Sequence, residues 1–210
     1  MLFSDLNSVH LDALREISNI GMGNAATALS QMIGSRIDLR VPRVSVAALE
    51  EVPDLIGGAE KLVVGVYLQI YGDARGNMLL IFPRSSATRL ISMLIPGDGA
   101  ASEGLLTENS ASALREIGNI LASSYLSAMG SLLSLTLIPS VPSVAFDMAG
   151  AIVDYTLAEL GAQGDMTLVI ETEFVGEACP PAAGELQGHF FVLPDPQSLE
   201  ILLRAGKVYK

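Results

Sequence analysis

The chain has 210 residues, half of them hydrophobic and only 17% charged, with a mean hydropathy of +0.46. That apolar content excludes an intrinsically disordered chain, which could not offset its ordering entropy, and the length permits one sizeable core. Twelve basic against twenty-three acidic residues leave a net charge of −11, which repels phosphate backbones and argues against nucleic acid as a partner.

The first predicted element is a long helix from about Ser8 to Met32, with Asn7 as a plausible N-cap. At 3.6 residues per turn, Leu11, Leu14, Ile17, Met22, Ala25, Leu29 and Met32 form its apolar arc. Asp12, Glu16, Asn19, Gly23 and Thr27 fall on the opposite side. A β-branched stretch follows from Ile37 to Ala47, bent by a proline. A hairpin then pairs Lys61–Tyr71 with Gly76–Phe82, and a short helix covers about Ala87 to Ile95. After the linker Pro96–Gly104 the pattern starts again. A helix from Glu108 to Leu133 leads into a β-branched stretch, Leu135 to Phe146. A hairpin of Met166–Val175 with Gln187–Leu193 and a short helix from Ser198 to Ala205 complete the chain.

The recurrence is visible in the residues themselves. Leu14-Arg15-Glu16-Ile17-Ser18-Asn19-Ile20 returns 100 positions later as Leu114-Arg115-Glu116-Ile117-Gly118-Asn119-Ile120, matching at six of seven positions. The same offset carries Val41-Pro42 to Val141-Pro142 and Asn7 to Thr107. This is a duplicated half-domain. The expected fold is α+β: a single domain, residues 1–210, of two pseudo-symmetric α-β-β-β-α halves (about 1–98 and 105–210) sharing one sheet. The two long helices carry the candidate sites.

Residues 117–146 form a run of thirty without a formal charge, but it holds seven serines and is broken by Pro139 and Pro142. Ser123, Ser127, Ser131 and Ser134 take one side of the helix, and Leu121, Met129, Leu132 and Leu133 the other. The reading is an amphipathic helix with an uncharged polar side, without membrane insertion. The opening residues Met1 to Asp5 show no secretory pattern, so a soluble cytoplasmic protein is expected. Cys179 is the lone cysteine and cannot by itself make a disulfide or a zinc site. Gly21 to Ala26 match a dinucleotide-binding fingerprint, but inside a helix already under way, where it cannot cradle a pyrophosphate. His10 and His189 stand alone and are expected to be structural or solvated.

Each long helix therefore presents one outward Glu and one outward Asn at i, i+3, while neighbouring positions differ between the copies: Gly21 against Leu121, Met22 against Ala122, Asn24 against Ser124. Retention on a side taken to face solvent hints at shared work. A carboxamide is no general base near neutrality, but it can hold a water and a phosphoryl oxygen together. One Glu per site is too little to cage Mg²⁺, so the chemistry points to a phosphorylated protein that brings its own metal.

Asp12-x3-Glu16-x2-Asn19-x22-Pro42 and Ser112-x3-Glu116-x2-Asn119-x22-Pro142 resemble the doubled signature of the CheC/CheX/FliY phosphatases of chemotaxis. Two motifs, with only Leu199–Lys210 left at the end, resemble the two-motif CheC-type members rather than those with a further switch domain. The resemblance implies hydrolysis of the aspartyl phosphate of the response regulator CheY. Asn19 and Asn119 would orient the attacking water, and Glu16 and Glu116 would contact the regulator's lysine. Asp12, Ser112, Pro42 and Pro142 would be supporting positions. It also implies no cofactor of the chain's own, Mg²⁺ arriving with the regulator, and a second partner, the deamidase CheD, meeting Asp147, Met148, Ala149 and Gly150. Both sites are expected to be competent, and two sites on one chain fit a monomer. The rival reading is a non-catalytic chemotaxis adaptor or flagellar-switch component that binds CheY or CheD without hydrolysis.

Overall fold

Side-chain caps start both long helices. The structure is a computed structural model that describes residues 6–95, 107–160, 166–175 and 186–205. Helix α1 spans Ser8–Ile33 and α4 spans Glu108–Leu133. The His10 N–H donates to Asn7 Oδ1 at 3.1 Å and the Asn7 N–H donates to His10 Nδ1 at 3.1 Å, a reciprocal box that satisfies two orphan donors. On α4 the Ser110 N–H donates to Thr107 Oγ1, also at 3.1 Å. Both helices stop on a left-handed residue 100 positions apart, Gly34 (φ 72°) and Ser134 (φ 58°).

Between and after these helices the described elements are β1 (Asp38–Arg40), β2 (Val44–Ala48), α2 (Val52–Leu55), β3 (Leu62–Gly72), β4 (Gly76–Pro83) and α3 (Arg84–Leu94), then β5 (Leu137–Pro139), β6 (Ser143–Met148), α5 (Ala149–Leu160), β7 (Met166–Val175), β8 (Leu186–Pro194) and α6 (Pro196–Ala205). Each β-branched stretch predicted as one strand is thus two short strands flanking its Val-Pro pair. Each half also gains a helix absent from the α-β-β-β-α reading. In the first half a 3-10 turn at Leu49–Glu51 leads into α2, where Pro53 sits in the opening turn and costs no hydrogen bond. In the second half α5 occupies the same place, and its apolar Ala149, Ile152 and Val153 are buried. The linker 96–104 lies outside the described residues.

The sheet is antiparallel in order β1-β7-β8-β4-β3-β5, with β2 also on β7 and β6 also on β3. The halves meet where β4 pairs with β8, Leu80 opposite Phe190. They also exchange edges: β1 and β2 of the first half pair with β7 of the second, and β5 and β6 of the second pair with β3 of the first. Neither half completes its own sheet.

Strand alternation divides the core between two faces. Val64, Val66, Leu68 and Leu80 pack with Leu14, Ile17, Leu114 and Ile117 of the long helices, and Leu199 and Leu203 of α6 join them. On the other face Val63, Leu79, Ile81 and Phe191 pack with Val52 of α2 and Ile152 and Val153 of α5. Gly65 of β3 lets α5 approach, since a Cβ there would lie 2.8 Å from Ile152 Cγ2.

The predicted apolar arc of α1 is buried at Leu14, Ile17, Met22, Ala25 and Leu29, and half-buried at Leu11 and Met32. On α4, Leu121, Met129 and Leu133 are buried as expected, but Leu132 is 48% exposed, placed on the rim of a groove against Ile20 and Asn24 of α1. Gly21, Met22, Leu121 and Ala122 are also buried, so their divergence between the copies lies in the interior and offers no measure of how freely the outward side varies. They sit where α1 packs on α4. A Cβ on Gly21 would come within 2.6 Å of Tyr125 Cδ2, so the small residue makes room for the ring. The matching pair 100 positions away is Leu121 and Ala25, where large and small have changed places. Both residues are buried in the same core, and the exchange of sizes is what compensating packing predicts.

Candidate functional site

The backbone of α1 and α4 sets the two candidate sites. Sheet and partner helix cover the apolar side of each, leaving Asp12, Glu16, Ser112 and Glu116 exposed. Asn19 and Asn119 are half-buried, at the border between the outward face and the turn that carries the Val-Pro pair.

In the first site the carboxamide is engaged at both ends. Asn19 Nδ2 donates to the Arg15 carbonyl at 3.1 Å, and Asn19 Oδ1 accepts from the Val41 N–H at 3.1 Å. One side chain thereby ties the helix to the turn between β1 and β2. Val41 is buried and Pro42 exposed. The 22-residue spacing from Asn to Pro thus has a structural content here: it brings the residue before Pro42 under the amide. Arg15 also pairs with Asp12 at 3.5 Å, both side chains well exposed, a contact of small energetic weight.

The second site is built differently from nearly the same residues. Asn119 Oδ1 accepts only from the Ser123 hydroxyl, at a long 3.3 Å, and its Nδ2 makes no hydrogen bond among the described residues. Val141 is 85% exposed while Pro142 is buried, the reverse of Val41 and Pro42. The turn is tied to β3 instead. The Ser140 N–H donates to the Gln69 carbonyl at 2.8 Å, and the Gln69 N–H donates to Ser140 Oγ at 2.9 Å.

Beneath the first site lies a polar contact that sequence reasoning missed. Ser18, the one mismatch in the seven-residue repeat, is buried, and its hydroxyl meets Tyr125 Oη at 3.1 Å. Burial pushes the Tyr125 phenol up to about 12, the Ser18 hydrogen bond opposing it in part. At the matching position Gly118 lets a strand approach, since a Cβ there would lie 2.6 Å from Val66 Cγ1. The signal was present in the sequence: one substitution inside an otherwise matched segment, and one aromatic residue in α4.

Asp147 and Met148 are exposed at the end of edge strand β6, and the Met148 N–H donates to Asp147 Oδ1 at 2.7 Å. Ala149 is buried and Gly150 half-buried; their N–H groups donate to the Lys61 and Ala59 carbonyls, each at 2.9 Å. Direct contact with a partner is therefore open to the first two, while the second two fix the start of α5. Gly21 to Ala26 lie in the middle of α1, remote from any strand-to-helix turn. His10 belongs to the helix cap. His189 stacks on Phe191 at 6.2 Å between centroids, and burial, with Lys61 adding to it, lowers its pKa. Cys179 lies outside the described residues. Among the described residues no group of three or more His, Cys, Asp or Glu side chains could hold a metal ion. No described helix is long and apolar enough to cross a membrane.

Comparison with known proteins gives a consistent family. The model of the CheC-like family matches residues 9–46 and 110–145, the two helix-plus-turn units. The chain is 38% identical over 205 residues to the CheY-P phosphatase CheC of Bacillus subtilis, covering 97% of both chains. It is 29% identical to the flagellar motor switch phosphatase FliY of the same organism over 140 residues, 67% of this chain and 36% of FliY. Among solved structures, Thermotoga maritima FliY superposes with a TM-score of 0.78 over 97% of this chain and 98% of that one, at 21% identity. A chain of the FliG–FliM complex from H. pylori superposes at 0.66 over 95% of this chain and 100% of that one, at 13% identity. At those identities the likeness is one of fold.

Proposed function

The chain belongs to the CheC-like family, and we propose that it is a phosphatase acting on the aspartyl phosphate of a phosphorylated CheY-type response regulator. The observation that carries the reading is 38% identity to a CheY-P phosphatase along 97% of both chains. The outward placement of both Glu residues, each one helical turn from a carboxamide, supports it.

The reaction needs little covalent help from the protein. An acyl phosphate already has a good leaving group, so positioning a water in line and stabilising charge suffice. The asparagine enters the regulator's site and aligns the water. The water oxygen attacks phosphorus, the bond to the aspartyl oxygen breaks, and the products are inorganic phosphate and the free carboxylate. Glu16 or Glu116 pairs with a cationic side chain beside the phosphoryl group and sets the register of docking. Mg²⁺ enters with the regulator; among the described residues each site has one unpaired carboxylate, too few ligands for a cage of its own. Such a partner puts the reaction in the cytoplasm. CheD is a second partner of this reading, docking on Asp147 and Met148 and raising the activity.

The second site carries most of the turnover. To reach into a partner, Asn19 must leave two hydrogen bonds, each worth on the order of 1 kcal/mol, whereas Asn119 leaves one long contact. The test is the decay of regulator phosphate with and without the protein, using Asn19→Ala, Asn119→Ala and the double variant. Unchanged decay with wild-type protein that still binds the regulator would leave the adaptor reading. Full activity in the double variant would remove the carboxamides from the mechanism.

A further inference from the structure

The two Val-Pro turns have the same two residues and opposite ties, and the residue just before them differs. In the first half it is Arg40, the last residue of β1, opposite Glu173 of β7. A guanidinium has donors only, so it cannot receive a strand N–H. The turn that follows is free to settle on α1, where the Val41 N–H meets Asn19 Oδ1.

In the second half that residue is Ser140. The antiparallel ladder of β5 on β3 runs to Ile70 opposite Pro139, and a further step would exchange N–H and carbonyl between Gln69 and residue 140. Only half of that exchange uses backbone. The Ser140 N–H donates to the Gln69 carbonyl, but the Gln69 N–H is received by the Ser140 hydroxyl. The hydroxyl substitutes for the residue's own carbonyl and donates in turn to the Val141 carbonyl at 3.2 Å. The chain can therefore leave the sheet immediately after Ser140, carrying Val141 outward.

We propose that Ser140 is a positioning residue of the second site: its hydroxyl ends the β3–β5 ladder and holds the Val141–Pro142 turn off Asn119, so that the carboxamide stays available to a docked partner. The inference rests on the reading of Asn119 as the reactive amide, but its structural half can be measured apart from activity.

The experiment uses the full chain with Asn19→Ala, so that turnover reports the second site, and adds Ser140→Ala, Ser140→Arg or Ser140→Thr. With Ala or Arg, the Asn119 side-chain amide resonances should move and the Val141 amide should exchange at least severalfold more slowly, as it gains Asn119 as acceptor. Turnover of regulator phosphate should fall severalfold at an unchanged KM, because Glu116 still docks the regulator. Thr keeps a hydroxyl and should behave as the parent in all three. Unchanged Asn119 resonances and Val141 exchange in the Arg variant would overturn the proposal, whatever the activity. A shift in both with turnover unaffected would also overturn it, since the turn would then move without consequence for the amide's work. Were the parent itself inactive, the reading of the function would fall while the two amide measurements still decided the role of Ser140.

Discussion

Asn19 and Asn119 lie in segments that match at six of seven positions, yet one carboxamide is built into the fold and the other is nearly free of it. The first ties α1 to the turn after β1, above a buried Ser18–Tyr125 contact. The second faces a turn that β3 holds away. The same helix face supports either use, because the face fixes only the direction of the side chain. What the amide bonds to is decided by the neighbouring turn, and that turn is decided by one residue outside the retained motif. Copies of a site can therefore drift apart in accessibility while their signature residues stay the same.

Making the halves alike in the interior should carry the largest cost. Gly21→Leu copies the second half, but Tyr125 already fills that space, so the variant should lose about 3 kcal/mol by overpacking. Adding Tyr125→Ala, the residue type at position 25, should restore much of the loss. Urea unfolding of the single and double variants reads this directly, and equal midpoints for the two would refute compensating packing.

Next in size is the division of labour. Asn119→Ala should lower phosphatase activity about tenfold, roughly 1.4 kcal/mol of barrier, and Asn19→Ala no more than about threefold. The reverse order in a phosphate-release assay would show that tethering pre-organises an amide instead of withholding it. Ser18→Ala should cost about 1 kcal/mol in thermal unfolding, because it leaves the buried Tyr125 hydroxyl unpaired. The same phenol gives a pH signature. Its pKa is raised from 10.0 to about 12, so its contribution to stability is complete below pH 10 and is lost as pH rises towards 12. Tyr125→Phe should flatten that part of the stability curve.

The smallest effect concerns the supporting position. Asp12→Ser, which makes the first motif read as the second, removes an exposed 3.5 Å pair and should change stability by only a few tenths of a kcal/mol, about the limit of a denaturant titration. A loss well beyond that would mean that Asp12 does structural work that Ser112 does not.

The elements were legible wherever a local rule governed them. Asn7 and Thr107 mark the helix starts because capping is settled within four residues, and the two hairpins follow from runs rich in β-branched and aromatic residues. The apolar arc of α1 is the buried one. Short helices at 52–55 and 149–160 were not legible, since their burial depends on the second face of the sheet, which no periodicity within them announces. Of the candidate site, the outward Glu positions could be read from helical spacing, while the half-burial of Asn19 and Asn119 could not, since the neighbouring turn supplies it. The tether on Asn19, the openness of Asn119 and the Ser140–Gln69 exchange could not, because each joins residues at least four and mostly more than twenty positions apart, or depends on a bond that is not made.

The amino-acid order by itself determined that the chain is doubled, that each copy opens on a capped amphipathic helix, and that a Glu and an Asn leave each helix on the side away from its apolar arc. Those properties need only helix geometry and the repeat. Tertiary structure alone decided that the halves trade edge strands and that Gly21 serves Tyr125. It also decided that one carboxamide is held at both ends by its own fold while the other, half-buried, keeps a single long contact to Ser123. Packing and hydrogen bonding between distant segments admit several solutions for the same local pattern, and only the assembled sheet and helices select among them.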